Sequence, residues 1–482
     1  MRLILMETSR MTETLPKKVF HREMGEAHLI QTHLSGYVWE VEIISTKRRY
    51  RLPAKDFVDD SVMAVERTLP AIPNSRPLRR PLPKLERFRA RQTVEALRFG
   101  VVPVQDIESL TLGLDRERAI MDHTLQEALE NRGATLAVLA DYGAGKSHFV
   151  EFIANKALQR NFIVMNASLD LLETPPAKAH EIYKALTHSV RYPEGGDDHT
   201  LTPLFKAAIR EADQVHNFGE IAPRGEDCPL AVAIKAYSGC TDPEGMRTII
   251  EWISMDKYDL PTLKSWVKRP PKLYANGDTA RQYAYLLSGL STLARIAGYA
   301  GLAVLIDESE LYSQLRPNQR ERADQFFQSM IYATVGDNKG RLDPDTIPDH
   351  NRVEYDISFS PTPHLVFVFA QAASPDAADQ QMAVDQWLSP SQIVELNGRY
   401  QAKELLDFLK NLLIYHRTAF EYQSLEERYK PVLIHLPNLI TEALRDSRLN
   451  PRQVIKLMVE VYDLLYMHPS YSAEAVMQEI RG

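Results

Sequence analysis

Lys146 and Ser147 close the run Ala140-Asp141-Tyr142-Gly143-Ala144-Gly145-Lys146-Ser147, and their types and spacing suit one chemistry, the grip of a polyphosphate. Gly143 and Gly145 can take backbone angles that aim successive N–H groups at an anion. Lys146 would meet the β- and γ-phosphates, and the Ser147 hydroxyl would ligate Mg²⁺. A helix starting there would add the positive end of its dipole. Ala140 stands where the pattern usually has its first glycine, a strand-end position that mainly needs a small residue. Asp141, Tyr142, Gly143, Ala144, Gly145, Lys146, Ser147 and His148 are therefore the expected nucleotide-contacting segment.

The partner such a loop requires is a carboxylate at the end of another buried strand. Leu302-Ala303-Val304-Leu305-Ile306 is apolar on both faces and runs into Asp307-Glu308, the Walker-B pattern. Asp307 would hold Mg²⁺ together with Ser147. Glu308 would polarise the attacking water, since a carboxylate beside the γ-phosphate can accept a proton as the nucleophile adds. The run continues as Ser309-Glu310, so Glu310 is a rival base; adjacency to Asp307 favours Glu308. Gln371 follows another apolar strand, where ATPases with an inserted central strand carry a sensor of the γ-phosphate. Leu449-Asn450-Pro451-Arg452-Gln453 opens a helix with Pro451 in its first turn, and Arg452 would point at the nucleotide as a second sensor. Arg320 and Arg322 are candidates to act in trans on a neighbouring subunit's nucleotide.

The elements that must position these groups alternate. Strands are predicted from Leu136, over Phe162–Ala167, over Leu302–Ile306 and over His364–Ala370. Helices are predicted after Lys146, over Ala177–Val190 and over Tyr283–Ala297. Alternation of this kind predicts an α/β fold with a parallel, doubly wound sheet, and the two motifs make it that of a P-loop NTPase. Residues 193–280 are charged and strand-poor and read as a helical insertion. From Ala402 onward the pattern is helical, as suits a carboxy-terminal lid. The expected division is a tail over 1–16, a small β-barrel over 17–60, a linker over 61–91, the P-loop domain over 92–395 and the lid over 396–482.

Within 17–60, Tyr37-Val38-Trp39-Glu40-Val41-Glu42-Ile43 and Tyr50-Arg51-Leu52-Pro53 alternate at strand period between turns marked by Gly25 and Gly36. This block resembles the SH3- or Tudor-like small barrels appended to some helicases and transcription-coupling factors, which implies a docking module. The linker holds five prolines from Pro70 to Pro83, which favour extended backbone. Arg76, Arg79, Arg80, Lys84, Arg87, Arg89 and Arg91 follow closely, with Glu86 the acid among them, and could grip phosphates. Phe88 stands among them as a lone aromatic, so base stacking is not suggested.

A net charge of −7 over 482 residues argues against a chain coated with nucleic acid, yet permits a local basic surface. No run of about 18 apolar residues occurs, so no membrane helix is expected. The opening MRLILMETSRM is too short for a secretory signal. Cys228 and Cys240 lack metal-ligand spacing and read as reduced thiols, which points to a cytoplasmic protein.

The ordered segments FRARQTVEALRFGVVP, LTLGLDRERAIMD, LADYGAGKSHFVEFIANKAL, YAGLAVLIDESELY and NPRQVIKLM resemble the BREX-type ATP-binding proteins of bacterial anti-phage systems, a BrxD-like, AAA+-related family. The similarity spans roughly residues 88–465. It implies an ATPase of phage defence acting with DNA and with defence proteins of helicase or methyltransferase type, with a homo-oligomer as a candidate assembly. The residues favour ATP hydrolysis with Mg²⁺ over a non-hydrolysing, nucleotide-gated scaffold, because Glu308 is retained. A metabolic kinase would need an acceptor pocket, for which no motif is evident.

Overall fold

The strand that precedes the phosphate loop is apolar at every second residue and at the residues between, a pattern that is stable only in a sheet covered on both faces. In the computed structural model, β6 (Ala134–Ala140), β7 (Phe162–Ser168), β8 (Gly301–Asp307), β9 (Leu365–Ala372) and β10 (Ile393–Leu396) form one parallel sheet of order β10-β6-β9-β8-β7. The described residues are 18–21, 25–33, 38–53 and 57–58 in an amino-terminal unit. In the second unit they are 84–130, 133–141, 143–212, 228–335, 363–372, 382–422, 426–446 and 449–481, with a few single positions between 342 and 359.

Alternate residues of the strands feed two separate cores. Leu136, Val138, Val164, Ala303, Leu305, Val366 and Val368 face one side. Ala137, Ile163, Met165, Leu302, Val304, Ile306, Phe367 and Phe369 face the other. The first side is covered by helices α2 (Asp115–Leu129) and α3 (Lys146–Gln159), whose Met121, Leu125, Phe149, Phe152 and Ile153 are buried against it. The second is covered by α4 (Ala179–Thr187), α9 (Ala280–Ile296) and α10 (Pro317–Val335). Between them run α5 (Thr202–Ala212), α6 (Pro229–Gly239), α7 (Pro243–Ile253) and α8 (Leu260–Trp266), the helical insertion that the sequence predicted. Asp242 and Asp259 cap the last two through their side chains. Cys228 and Cys240 are buried free thiols at the two ends of α6.

The strand order has a functional consequence. β9 lies between the phosphate-loop strand β6 and the Walker-B strand β8, so the two motifs stand at the same end of the sheet, one strand apart. The short β10, which pairs with β6 over Ile393–Leu396, has no counterpart among the strands predicted from sequence.

A third core is mainly helical. It joins α12 (Ala402–Phe420), α13 (Glu426–Arg445), α14 (Pro451–Met467) and α15 (Ala473–Arg481) to an element from the other end of the unit, α1 (Lys84–Phe99). That helix begins at Lys84, inside the stretch 61–91 read from sequence as a linker, with Glu86 in its first turn. Ala90, Val94 and Leu97, spaced at helical period, are buried among Leu405, Leu409, Val454, Met458 and Tyr462. The Arg cluster is partly consumed by this packing. Arg87 pairs with Glu421 at 3.0 Å and Arg91 lies over the Phe420 ring.

A polar chain crosses the same interface. Arg98 donates to both carboxylate oxygens of Asp463, at 2.9 and 3.1 Å. Asp463 also takes the buried His416 imidazole at 3.0 Å, and the other ring nitrogen of His416 lies 2.8 Å from the Tyr422 hydroxyl. Burial raises the Asp463 carboxyl, but the hydrogen bonds from His416 and Arg98 outweigh it and hold it below the usual carboxylate range.

In the amino-terminal unit, β1 (Lys18–His21), β2 (Gly25–His33), β3 (Val38–Ile43), β4 (Arg49–Pro53) and β5 (Phe57–Val58) form an antiparallel sheet of order β4-β3-β2-β1-β5. Val19, Ala27, Val41 and Ile43 make its small core. Kinship with SH3- or Tudor-like barrels is a proposal on top of this sheet. Residues 59–83, with Arg76, Arg79 and Arg80, lie outside the described residues.

Replacing Asp463 with alanine strands two cationic or polar partners inside the bundle and is expected to lower the unfolding free energy by about 3 kcal/mol. A carboxylate held low supports folding fully above its unfolded pKa and loses that support as pH falls through the folded one. Urea unfolding of the wild type and Asp463→Ala should therefore converge as pH falls below about 4.

Candidate nucleotide-binding site

β6 ends at Ala140, and the chain turns into α3 through two glycines with φ of +78° (Gly143) and +102° (Gly145). Non-glycine residues meet a penalty of roughly 1–2 kcal/mol in that region. The Ala144 N–H donates to the Asp141 carbonyl at 3.1 Å, closing the turn. Lys146 is buried, and its ammonium donates to the Ala140 and Asp141 carbonyls at 3.1 and 3.3 Å. Ser147 is exposed beside it, in the first turn of the helix. Tyr142 lies outside the described residues.

Asp307 ends β8 in register with Ser168. Its Oδ1 accepts the Glu308 N–H at 2.9 Å, and Glu308 takes the left-handed conformation, φ 60° and ψ 31°. A glutamate held there is strained, and such residues cluster where function demands them. A 3₁₀ turn follows over Ser309–Gln314. Tyr312 in that turn donates to Asp324 at 3.0 Å, while Arg320 donates to the Leu315 and Ser313 carbonyls at 3.0 and 2.9 Å. Arg320 is thus engaged with its own turn. Burial lifts the Asp324 carboxyl to about 6 despite the Tyr312 bond and the Arg320 charge.

One cavity of about 460 Å³ gathers Gly143, Ala144, Gly145, Lys146, Ser147, His148, Glu308 and Arg452. Asp141, Asp307 and Gln371 are not among its lining residues. Gln371 is buried in β9 opposite Leu139, and its Oε1 has no hydrogen-bond partner among the described residues. It stands one strand from the loop rather than on the cavity surface. The Glu310 side chain is outside the description, so the rivalry between the two glutamates rests on Glu308, which lines the cavity.

The rest of the cavity lining is largely apolar and was not foreseen as a site. Leu97, Val101, Val102 and Pro103 come from the end of α1 and the segment after it, Leu110, Leu112 and Leu114 from the segment before α2, and Tyr400 and Ile455 from the lid. A slot of this character suits a planar base. Its sequence signals were Gly100 and Gly113, which take positive φ in the structure.

The lid reaches the loop through the start of α14. Asn450 caps that helix, its Oδ1 accepting the Gln453 N–H at 2.9 Å, with Pro451 in the first turn. A methyl group added to Gly143 would stand 3.0 Å from Asn450 Nδ2, and one added to Gly398 would meet Pro451 and Ala144. Arg452 lies over Gly100, so close that a Cβ there would be 2.6 Å from its Nε. His148, in the first turn of α3, shares a 2.9 Å hydrogen bond with Thr111 Oγ1. Burial, with the nearby Arg118 charge, pushes its imidazole down to about 4.

A strand, a doubly glycine turn, a buried lysine and the glutamate that follows an acid-ended strand two places along the sheet are now joined around one cavity. The family model for the BREX system ATP-binding protein BrxC/D matches residues 85–220. That stretch carries α1, the apolar wall and the phosphate loop, and the match supports ATP binding within a BREX-type defence function. No curated protein matches the chain. Among the described residues no helix is long and apolar enough to cross a membrane.

Gly143→Ala places a methyl against Asn450 on a backbone that disfavours it. Nucleotide affinity should fall at least tenfold, about 1.4 kcal/mol, with the far-ultraviolet circular dichroism unchanged. Titration of a fluorescent ADP analogue checks this.

Proposed function

We propose that the chain binds ATP with Mg²⁺ and hydrolyses it in the service of anti-phage defence. The observation that carries this reading is that Lys146, Ser147 and Glu308 line one cavity whose other lining residues are largely apolar. The phosphates would lie on the N–H groups of Gly143 to Ser147, at the positive end of α3. Lys146 would exchange its two carbonyl bonds for phosphate oxygens. The base would occupy the slot between Val101–Pro103, Leu110–Leu114 and the lid residues Tyr400 and Ile455.

Ser147 and Asp307 are hard oxygen donors and fit Mg²⁺. Among the described residues no group of three or more acidic, His or Cys side chains forms a cage, consistent with a metal held largely by waters and substrate phosphates. When bound, the ion would neutralise charge on the β- and γ-phosphates. Glu308 would orient a water for in-line attack and accept its proton. Arg452, on the first turn of α14 over the cavity, would draw the lid onto the terminal phosphates.

Coupling to DNA, to helicase- or methyltransferase-type partners and to other copies of the chain belongs to the same proposal. Lys84 and Arg89, exposed on α1, are better placed for phosphate contact than Arg87 or Arg91, which the bundle uses. Steady-state phosphate release, with and without duplex or single-stranded DNA, tests the activity.

Lys146→Ala should abolish nucleotide binding. Glu308→Gln should keep binding within about twofold and cut turnover by roughly 100-fold or more. Full turnover by Glu308→Gln would transfer the base role to Glu310, and ATP bound without turnover by the wild type would make the chain a nucleotide-gated scaffold.

A further inference from the structure

The wall segment Leu110–Leu114 is under strain and is held from several sides. Gly113 and Leu114 both have positive φ, 60° and 68°, and for leucine this is disfavoured by roughly 1–2 kcal/mol. Such a conformation persists only where surroundings over-determine it. Glu404 of the lid sits against Gly113, so that an added Cβ would strike its carboxylate. Arg118 of α2 donates to the Thr111 carbonyl at 3.0 Å. The hold from the phosphate-loop helix is the Thr111–His148 bond.

That bond has a defined direction. The Thr111 hydroxyl has one proton and spends it on the Ile107 carbonyl at 2.6 Å. Toward His148 it is therefore an acceptor, and His148 Nε2 carries the donated proton. The imidazole gives its proton to the wall, so it is not a proton donor to phosphate from that nitrogen, although it immediately follows Ser147. Leu112 and Leu114, next to Thr111 and Gly113, line the same cavity as the phosphate loop.

We infer that His148 and Thr111 form a positioning pair that fixes the base-side wall to the phosphate loop, so that one selects nucleotides with a base and the other grips phosphate. The inference rests on the nucleotide-binding reading and deepens it. Neither residue touches the reacting atoms. Their effect is on how the wall meets a base, and a ligand made of phosphate alone does not require it.

The experiment measures the Kd of a fluorescent ADP analogue and its displacement by inorganic tripolyphosphate in Mg²⁺. Glutamine reproduces the Nε2 donor of histidine and asparagine does not, so His148→Gln should bind ADP within about twofold of wild type. His148→Asn and Thr111→Val should each weaken it about tenfold, and the double variant should be no weaker than either single one. Thr111→Ser, which keeps the hydroxyl, should bind as wild type does. Tripolyphosphate should bind all five variants equally. Additive losses, equal behaviour of His148→Gln and His148→Asn, or a parallel loss of tripolyphosphate affinity would overturn the pairing. A wild type that binds tripolyphosphate but no ADP would do so as well, and one that binds neither would overturn the nucleotide reading itself.

Discussion

The lid helix begins against bare backbone. A methyl group on Gly143 would stand 3.0 Å from Asn450 Nδ2, and Pro451 lies where only a glycine at 398 leaves room beside Ala144. This close approach makes a cavity out of a turn. Without it, the N–H groups of the phosphate loop would face open solvent, where an anion gains little. With it, the lid supplies Tyr400, Pro451, Arg452 and Ile455 to a surface whose other residues come from the sheet domain and α1. The helix is able to start there because Asn450 satisfies an N–H of its first turn and Pro451 needs no partner for a missing one.

Both ends of α1 follow from the same arrangement. The helix is embedded in the lid's core through Ala90, Val94 and Leu97, and Arg98 binds it to Asp463 of α14. Its last residues then lead into Gly100–Pro103, the rim of the cavity. Lid and rim are one packed body, so a ligand touching the rim also bears on α14. The family match over 85–220 covers α1, the wall and the loop but not the lid that encloses them, and the chain completes that stretch with helices from beyond residue 402.

Much of the sheet was legible in the sequence because its strands are apolar on both faces, a signal that does not depend on neighbours. The order of the two motifs and the Pro451 helix start were readable for similar local reasons. β10 was not, since Ile393–Leu396 is four residues long and its burial comes from pairing with β6. The start of α1 was hidden by the prolines and arginines around it, which mimic a linker until the bundle supplies an apolar partner. The apolar lining was invisible because Leu110, Leu112 and Leu114 gain a cavity to line only by converging with Tyr400 and Ile455, far along the chain. Gln371 shows the opposite failing. Its place at the end of an inserted strand was read correctly, but its amide is buried in β9 and does not reach the cavity surface.

The central claim is that the loop, the rim and the lid enclose one nucleotide. A crystal structure with Mg²⁺ and a non-hydrolysable ATP analogue tests it most directly. The account predicts phosphates on the Gly143–Ser147 backbone, Glu308 facing the terminal phosphate, and the base between Val101–Pro103 and Tyr400–Ile455. An analogue bound with its base outside that slot, or with Glu308 turned away from the terminal phosphate, would contradict it.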